Sequence, residues 1–194
     1  DITKMSDDEF NKQVRWKKIS MIFQGALNSL DPVFTIGSQM KEVLQQHGYS
    51  NDHIQIITNS LSSVLLEPSI MKKYPHELSG GMKQRVSFLR SLLAPQSFMC
   101  MDEPFSALDE FTRLEMQQWL LSIWEEQRGS ILLVTPNIDE ALLMSDRIYI
   151  FSDKPAKIKE EIIVPFPRPR KKELLLSDEF TEYKRKIYLA LEKE

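Results

Sequence analysis

The run Phe98-Met99-Cys100-Met101 is apolar at every position and stops abruptly in Asp102-Glu103-Pro104. A strand with one wet face alternates apolar with polar. A strand that is apolar throughout wants cover on both faces, as in the parallel sheets of α/β proteins. Two further short runs read the same way, Ile19-Ser20-Met21-Ile22-Phe23 and Ile131-Leu132-Leu133-Val134-Thr135. Both are expected as buried strands.

The segments between them read as helices. Ser6 suits a helix N-cap, with Asp7, Asp8 and Glu9 in the first turn. Residues 36–46 are expected as a helix ending at Gly48, and Ile54, Ile57, Leu61 and Leu65 mark another over 53–66. Ser79 opens a helix through Arg85, Val86, Leu89 and Leu93. Residues 113–127 form an amphipathic one closed by Gly129, and 139–144 a short one. Ile148–Phe151 and Lys159–Val164 are expected as the last strands, 165–170 (PFPRPR) as a Pro-rich linker, and 173–193 as a charged terminal helix. The alternation of strand and helix predicts an α/β fold with mainly parallel strands.

Composition removes several function classes. Lys plus Arg number 25 and Asp plus Glu 28, a formal charge of −3 over 194 residues, so no basic surplus argues for tight nucleic-acid binding. With 42% hydrophobic and 27% charged residues, the chain is expected to be globular. No stretch approaches a membrane span, and the start, DITKMSDDEF, lacks the apolar core of a signal peptide. The single cysteine, Cys100, cannot form an internal disulfide, which fits a reducing compartment.

Two places carry chemistry. Ser79-Gly80-Gly81 at a helix start leaves first-turn N–H groups uncovered, an arrangement suited to a phosphate. The same residues also suit a plain capped turn. Asp102 and Glu103 emerge at the carboxyl end of a strand, where open α/β sheets bind ligands. There an Asp can hold Mg²⁺ and the adjacent Glu can orient or deprotonate a water. Two solvated acids ending a strand give the same pattern. Only six glycines are present, and neither GxxxxGK[ST] nor GxGxxG occurs.

Order and spacing say more than either motif. Leu78-Ser79-Gly80-Gly81-Met82-Lys83-Gln84-Arg85 lies one helix upstream of FMCMDEP, and Ser106-Ala107-Leu108-Asp109 follows at once. Upstream, ISMIFQ ends in Gln24. In these four motifs the chain resembles the nucleotide-binding subunit of an ABC transporter: signature, Walker B strand, D-loop and Q-loop. The resemblance implies a partial P-loop NTPase core over 1–164, with an α-helical subdomain at about 36–94 and a linker and terminal helix over 165–194. It implies ATP and Mg²⁺ as ligands. Asp102 would act on Mg²⁺ and Glu103 as general base. Gln24 would sense Mg²⁺ and the γ-phosphate. Ser79, Gly80 and Gly81 would contact nucleotide held by the opposite subunit of a head-to-tail dimer, Gln84 would be a further nucleotide-binding residue, and Asp109, in the same binding set, would couple the two sites. Permease subunits and a second ATPase subunit would be its partners, at the cytoplasmic face of the cell membrane. Residues 15–48 look most like oligopeptide importer ATPases, and residues from about 98 onward like the nitrate, sulfonate and taurine group.

Two departures qualify that likeness. The P-loop and the strands beside it are missing, so the main grip on the phosphates is absent and strand edges are expected to lie open. This implies a fragment of a longer protein or a chain completed by another. Where the family places a switch histidine after the third apolar run, this chain has Pro136, which has no side-chain donor and no backbone N–H. An importer ATPase and a non-hydrolysing ABC-like binding module both remain open. A DNA-repair type is disfavoured, because only 55 positions separate Gln24 from Ser79, too few for its long coiled-coil insertion.

Overall fold

The three apolar runs form one sheet. The computed structural model describes residues 2–15, 17–22, 29–49, 52–94, 97–106 and 108–192. After α1 (Asp7–Gln13) come β1 (Ile19–Ile22), α2 (Ile36–Gln46), α3 (His53–Ser63), α4 (Gly80–Leu92), β2 (Phe98–Asp102), α5 (Glu110–Gln127) and β3 (Ser130–Val134). The strands lie in the order β1-β2-β3, all parallel. Ile19 pairs with Phe98, Phe98 with Ser130, and Asp102 with Val134. Helices make the long crossovers that parallel neighbours require. The chain continues through α6 (Ile138–Met144), β4 (Arg147–Phe151), β5 (Ile158–Ile163) and α7 (Asp178–Glu192).

Two compact units are formed: Asp1–Thr112 with Gly129–Val134, and Arg113–Arg128 with Thr135–Glu194. In the first, Ile22 of β1 and Met99 and Met101 of β2 are buried. So are Ile36, Met40 and Leu44 of α2, a stripe at four-residue spacing, together with Ile57 and Leu61 of α3 and Val86, Phe88 and Leu89 of α4. Caps decide where the helices begin. Ser6 and Glu9 form a reciprocal capping box on α1, and Thr35 accepts the Ser38 N–H to start α2.

β3 departs from expectation. Its run reads as a covered strand, yet Ile131, Leu132 and Val134 are exposed, Leu132 to 50% and Val134 to 53%. β3 is the last strand of its sheet among the described residues. An apolar run shows what a strand prefers to be covered by; neighbouring elements decide whether cover is supplied.

The second unit does not extend the parallel sheet. β4 and β5 pair antiparallel as a separate two-stranded sheet, with Ile148 opposite Ile162. Ile150, Ile162, Val164, Phe166, Leu142 of α6 and Phe180, Ile187 and Ala190 of α7 form its core. Residues 165–170, read from their prolines as a linker, are packed into it. Phe166 stacks on Phe180 and meets Tyr183 edge-on. Arg170 is 98% buried and donates to the carbonyls of Phe166 (2.9 Å), Ser145 (2.6 Å), Leu142 (3.3 Å) and Leu143 (3.4 Å). Arg168 donates to Met144 O at 2.7 Å, and both guanidiniums reach Asp146. The carbonyls that end α6, which no helix can satisfy internally, are thus met by two arginines. Arg168 also lies over the Trp124 ring at 4.1 Å, and Arg128 over the same ring at 4.8 Å. The terminal helix is shorter than expected. A 3-10 turn spans Lys172–Leu176, and α7 starts afresh where the Ser177 hydroxyl accepts the Phe180 N–H at 3.2 Å.

Candidate functional site

α4 begins where the sequence suggests. The Ser79 hydroxyl accepts the Met82 N–H at 3.3 Å, so Ser79 is the N-cap. The two glycines then differ. Around Gly80 there is open space: a Cβ built there meets nothing within 4 Å. A Cβ on Gly81 would lie 3.0 Å from the Thr112 methyl. Gly80 therefore leaves the helix tip accessible, while Gly81 lets the first turn of α4 approach the start of α5. The first-turn N–H groups and the helix dipole make an accessible tip of this kind receptive to an anion.

β2 delivers its acids at its carboxyl end. Asp102 is the last residue of the strand, half-buried, and Glu103 follows, also half-buried. Glu103 has φ of 42°, the left-handed region that a side chain ordinarily avoids. Tethers hold it there. The Glu103 N–H donates to Val134 O at 2.9 Å, and its carbonyl accepts the Ser106 N–H (3.2 Å) and hydroxyl (2.9 Å). Leu108 N–H closes the turn onto Phe105 O at 3.1 Å.

Asp109 caps α5. Its carboxylate accepts the Thr112 N–H at 3.1 Å, and the Thr112 hydroxyl and N–H hold this carboxyl below the usual range. The expected start of α5 at Arg113 is thus three residues late, because Asp109 starts it at Glu110.

Gln84 is the candidate that the structure places differently. It is 2% exposed, and its side-chain amide donates to the Pro104 carbonyl, the residue after Glu103. Expected as a nucleotide contact, it faces inward and joins α4 to the acid turn. Phe88, one turn further along α4, stacks on Phe105 at 5.5 Å. The spacing Gln84, Phe88, Ser91 marks one buried face of α4 and was the available signal.

All the described candidates, Ser79, Gly80, Gly81, Gln84, Asp102, Glu103 and Asp109, fall in the first unit. Gln24 lies outside the described residues. Pro136 is exposed in the second unit, followed by Asn137, which caps α6 by accepting the Glu140 N–H at 3.1 Å. Among the described residues no three His, Cys, Asp or Glu side chains converge to hold a metal ion. Asp102 alone still suits Mg²⁺, which keeps most of its waters and takes one or two carboxylates plus substrate phosphates.

Comparison with known proteins gives a consistent picture. The family model for ABC transporters matches residues 2–106. The aliphatic sulfonates import ATP-binding protein SsuB of Bacillus cereus is 46% identical over 121 residues, 62% of this chain and 47% of that protein. The nitrate import ATP-binding protein NrtD of Synechococcus elongatus is 41% identical over 133 residues, 68% of this chain and 48% of that protein. The chain spans about half the length of the curated relatives it matches. A dimeric, post-hydrolysis structure of the ATP-binding cassette MJ0796 bound to ADP and Pi superposes with a TM-score of 0.70 at 26% identity, covering 84% of this chain and 70% of that one. No helix among the described residues is long and apolar enough to cross a membrane.

Proposed function

We propose a role that starts from membership: this chain belongs to the ABC transporter family, and it acts as the ATP-binding, energy-coupling subunit of an import system. The observation that carries this reading is the joining of an accessible Gly80 helix tip to the Asp102-Glu103 turn within one unit. The names of its sulfonate and nitrate import relatives support the importer assignment. The subunit works at the cytoplasmic face of the membrane, docked on permease subunits through the helices of residues 36–94.

Ser79 and Gly80 contact the γ-phosphate of ATP held by a second subunit, where first-turn N–H groups favour the anion. Glu103 takes the proton of an attacking water as its oxygen bonds to the γ-phosphorus and the bond to ADP breaks. When bound with ATP, Mg²⁺ neutralises phosphate charge, and Asp102 would hold it. Asp109 stands at the start of α5, close behind the acid turn, where it relays the state of one site to the other.

A second reading has its own support. Pro136 follows the third apolar run, where the family resemblance implies a switch histidine, and it offers no side-chain donor. In that reading the chain offers its helix tip to a P-loop-bearing partner without turning over ATP itself. ATP turnover separates the two, measured for the chain alone and mixed with a P-loop-bearing cassette of its import system. We expect no turnover alone, and turnover in the mixture that Ser79→Arg in this chain lowers at least about tenfold, the loss of one transition-state contact. Turnover in the mixture that ignores Ser79→Arg would refute both readings. Glu103-dependent turnover by the chain alone would refute the second.

A further inference from the structure

We propose that Gln84 is a positioning residue: its side-chain amide latches α4 to the turn that presents Glu103. Of the two ends of the Gln84 amide only the NH₂ can donate to the Pro104 carbonyl, so the orientation of this amide is fixed by its partner. The bond is buried, and it reaches from the turn to another element. Ser106 and Leu108 tie the turn to itself, and the Glu103 N–H ties it to β3. Gln84, with the Phe88–Phe105 stack one helical turn on, joins it to the helix whose tip carries Ser79 and Gly80. At Gly81 the helix passes close enough to Thr112 that an added Cβ would lie 3.0 Å from its methyl.

The consequence is mechanical. A residue held at φ of 42° relaxes toward ordinary backbone when its tethers weaken. Gln84 therefore sets the direction of the Glu103 carboxylate without touching nucleotide, and it makes the helix tip and the acid turn one body. The effect on catalysis rests on reading Glu103 as the general base; the latch itself does not.

The test uses the chain without nucleotide and reads backbone amide exchange. Gln84→Leu keeps the volume and removes the donor. We expect exchange at the Ser106 and Leu108 amides to rise about tenfold, the worth of one neutral hydrogen bond, while Ala141 of α6 and Ser145, which caps its end, stay unchanged. Gln84→Glu supplies a readout that filling space alone would not move. Ionised, it cannot donate, and the turn should exchange as in the leucine variant. Protonated at lower pH, its O–H donates to Pro104 O, and protection should return after correction for the intrinsic rate. Unchanged exchange at Ser106 and Leu108, equal loss at Ala141 and Ser145, or a Gln84→Glu variant indifferent to pH would each overturn the proposal. Where a variant fails to fold, the unaltered chain decides. One Gln84 side-chain amide proton should exchange slowly and show an Overhauser contact to Phe105; a fast-exchanging pair overturns the latch. None of these readings needs ATP, so failure here is distinct from failure of the ATPase reading.

Discussion

The turn after β2 and the Pro-rich segment 165–170 are both irregular stretches held by buried donors on backbone carbonyls, but they are held to different degrees. At the acid turn a neutral amide, Gln84, grips one carbonyl, and an aromatic stack backs it. At the Pro-rich segment two guanidiniums satisfy five carbonyls and share one carboxylate. Burial and the neighbouring Arg168 push the Arg170 pKa down, Asp146 opposes them, and the guanidinium stays charged. The first region is aimed and can yield; the second is locked. A site that must reorient during a cycle is drawn from the less stable end of a fold, whereas a helix terminus has to stay satisfied.

The contrast is breakable. Arg170→Leu should show the largest effect, a loss of about 3 kcal/mol from the second unit, because charged hydrogen bonds vanish and buried carbonyls lose their partners. Urea unfolding followed by a probe in that unit measures it, and Arg170→Lys, which lacks the planar fork, should restore little. A loss under about 1 kcal/mol, the worth of one neutral bond, would erase the distinction between the two regions.

The glycine pair sharpens it next. Gly81→Val should destabilise the first unit by about 1–3 kcal/mol, since its Cβ meets the Thr112 methyl at 3.0 Å. Gly80→Ala should stabilise the nucleotide-free chain by up to about 1 kcal/mol, since alanine favours helix and meets nothing there. Equal shifts in urea midpoint for the two substitutions would refute the division of labour between them.

The smallest effect is a titration. The Asp109 pKa is lowered in the folded chain, so its contribution to the α5 cap is complete above the unfolded value. It fades as pH falls through the folded one. Nuclear resonance titration should find the Asp109 midpoint below that of an ordinary aspartate. Thr112→Val, which deletes the hydroxyl, should raise it.

Much of the fold was legible because it follows period and punctuation. All three parallel strands lie where apolar runs put them, and Ser6, Ser79 and the stripe of α2 mark real helices. What hid was tertiary. Hydropathy cannot reveal that Arg170 is buried, because its partners are carbonyls rather than side chains. The prolines around Phe166 read as a linker, although a Phe and an Arg four apart both point into a core. Gln84 lies inside a signature that draws the eye to ligand, while Phe88, four residues on along the same helical face, already marks that face as inward. The cover missing from β3 depends on neighbouring elements, which no local pattern records.

Trp124, with two cationic groups over its indole, is a natural optical gauge of the second unit. Undocking of Arg168 changes the electric field across that ring, so a shift in tryptophan emission would announce the opening of this region without any attached dye. Because Trp119 sits on the same helix and Trp16 also emits, replacing both with phenylalanine would leave Trp124 as the reporter of the event.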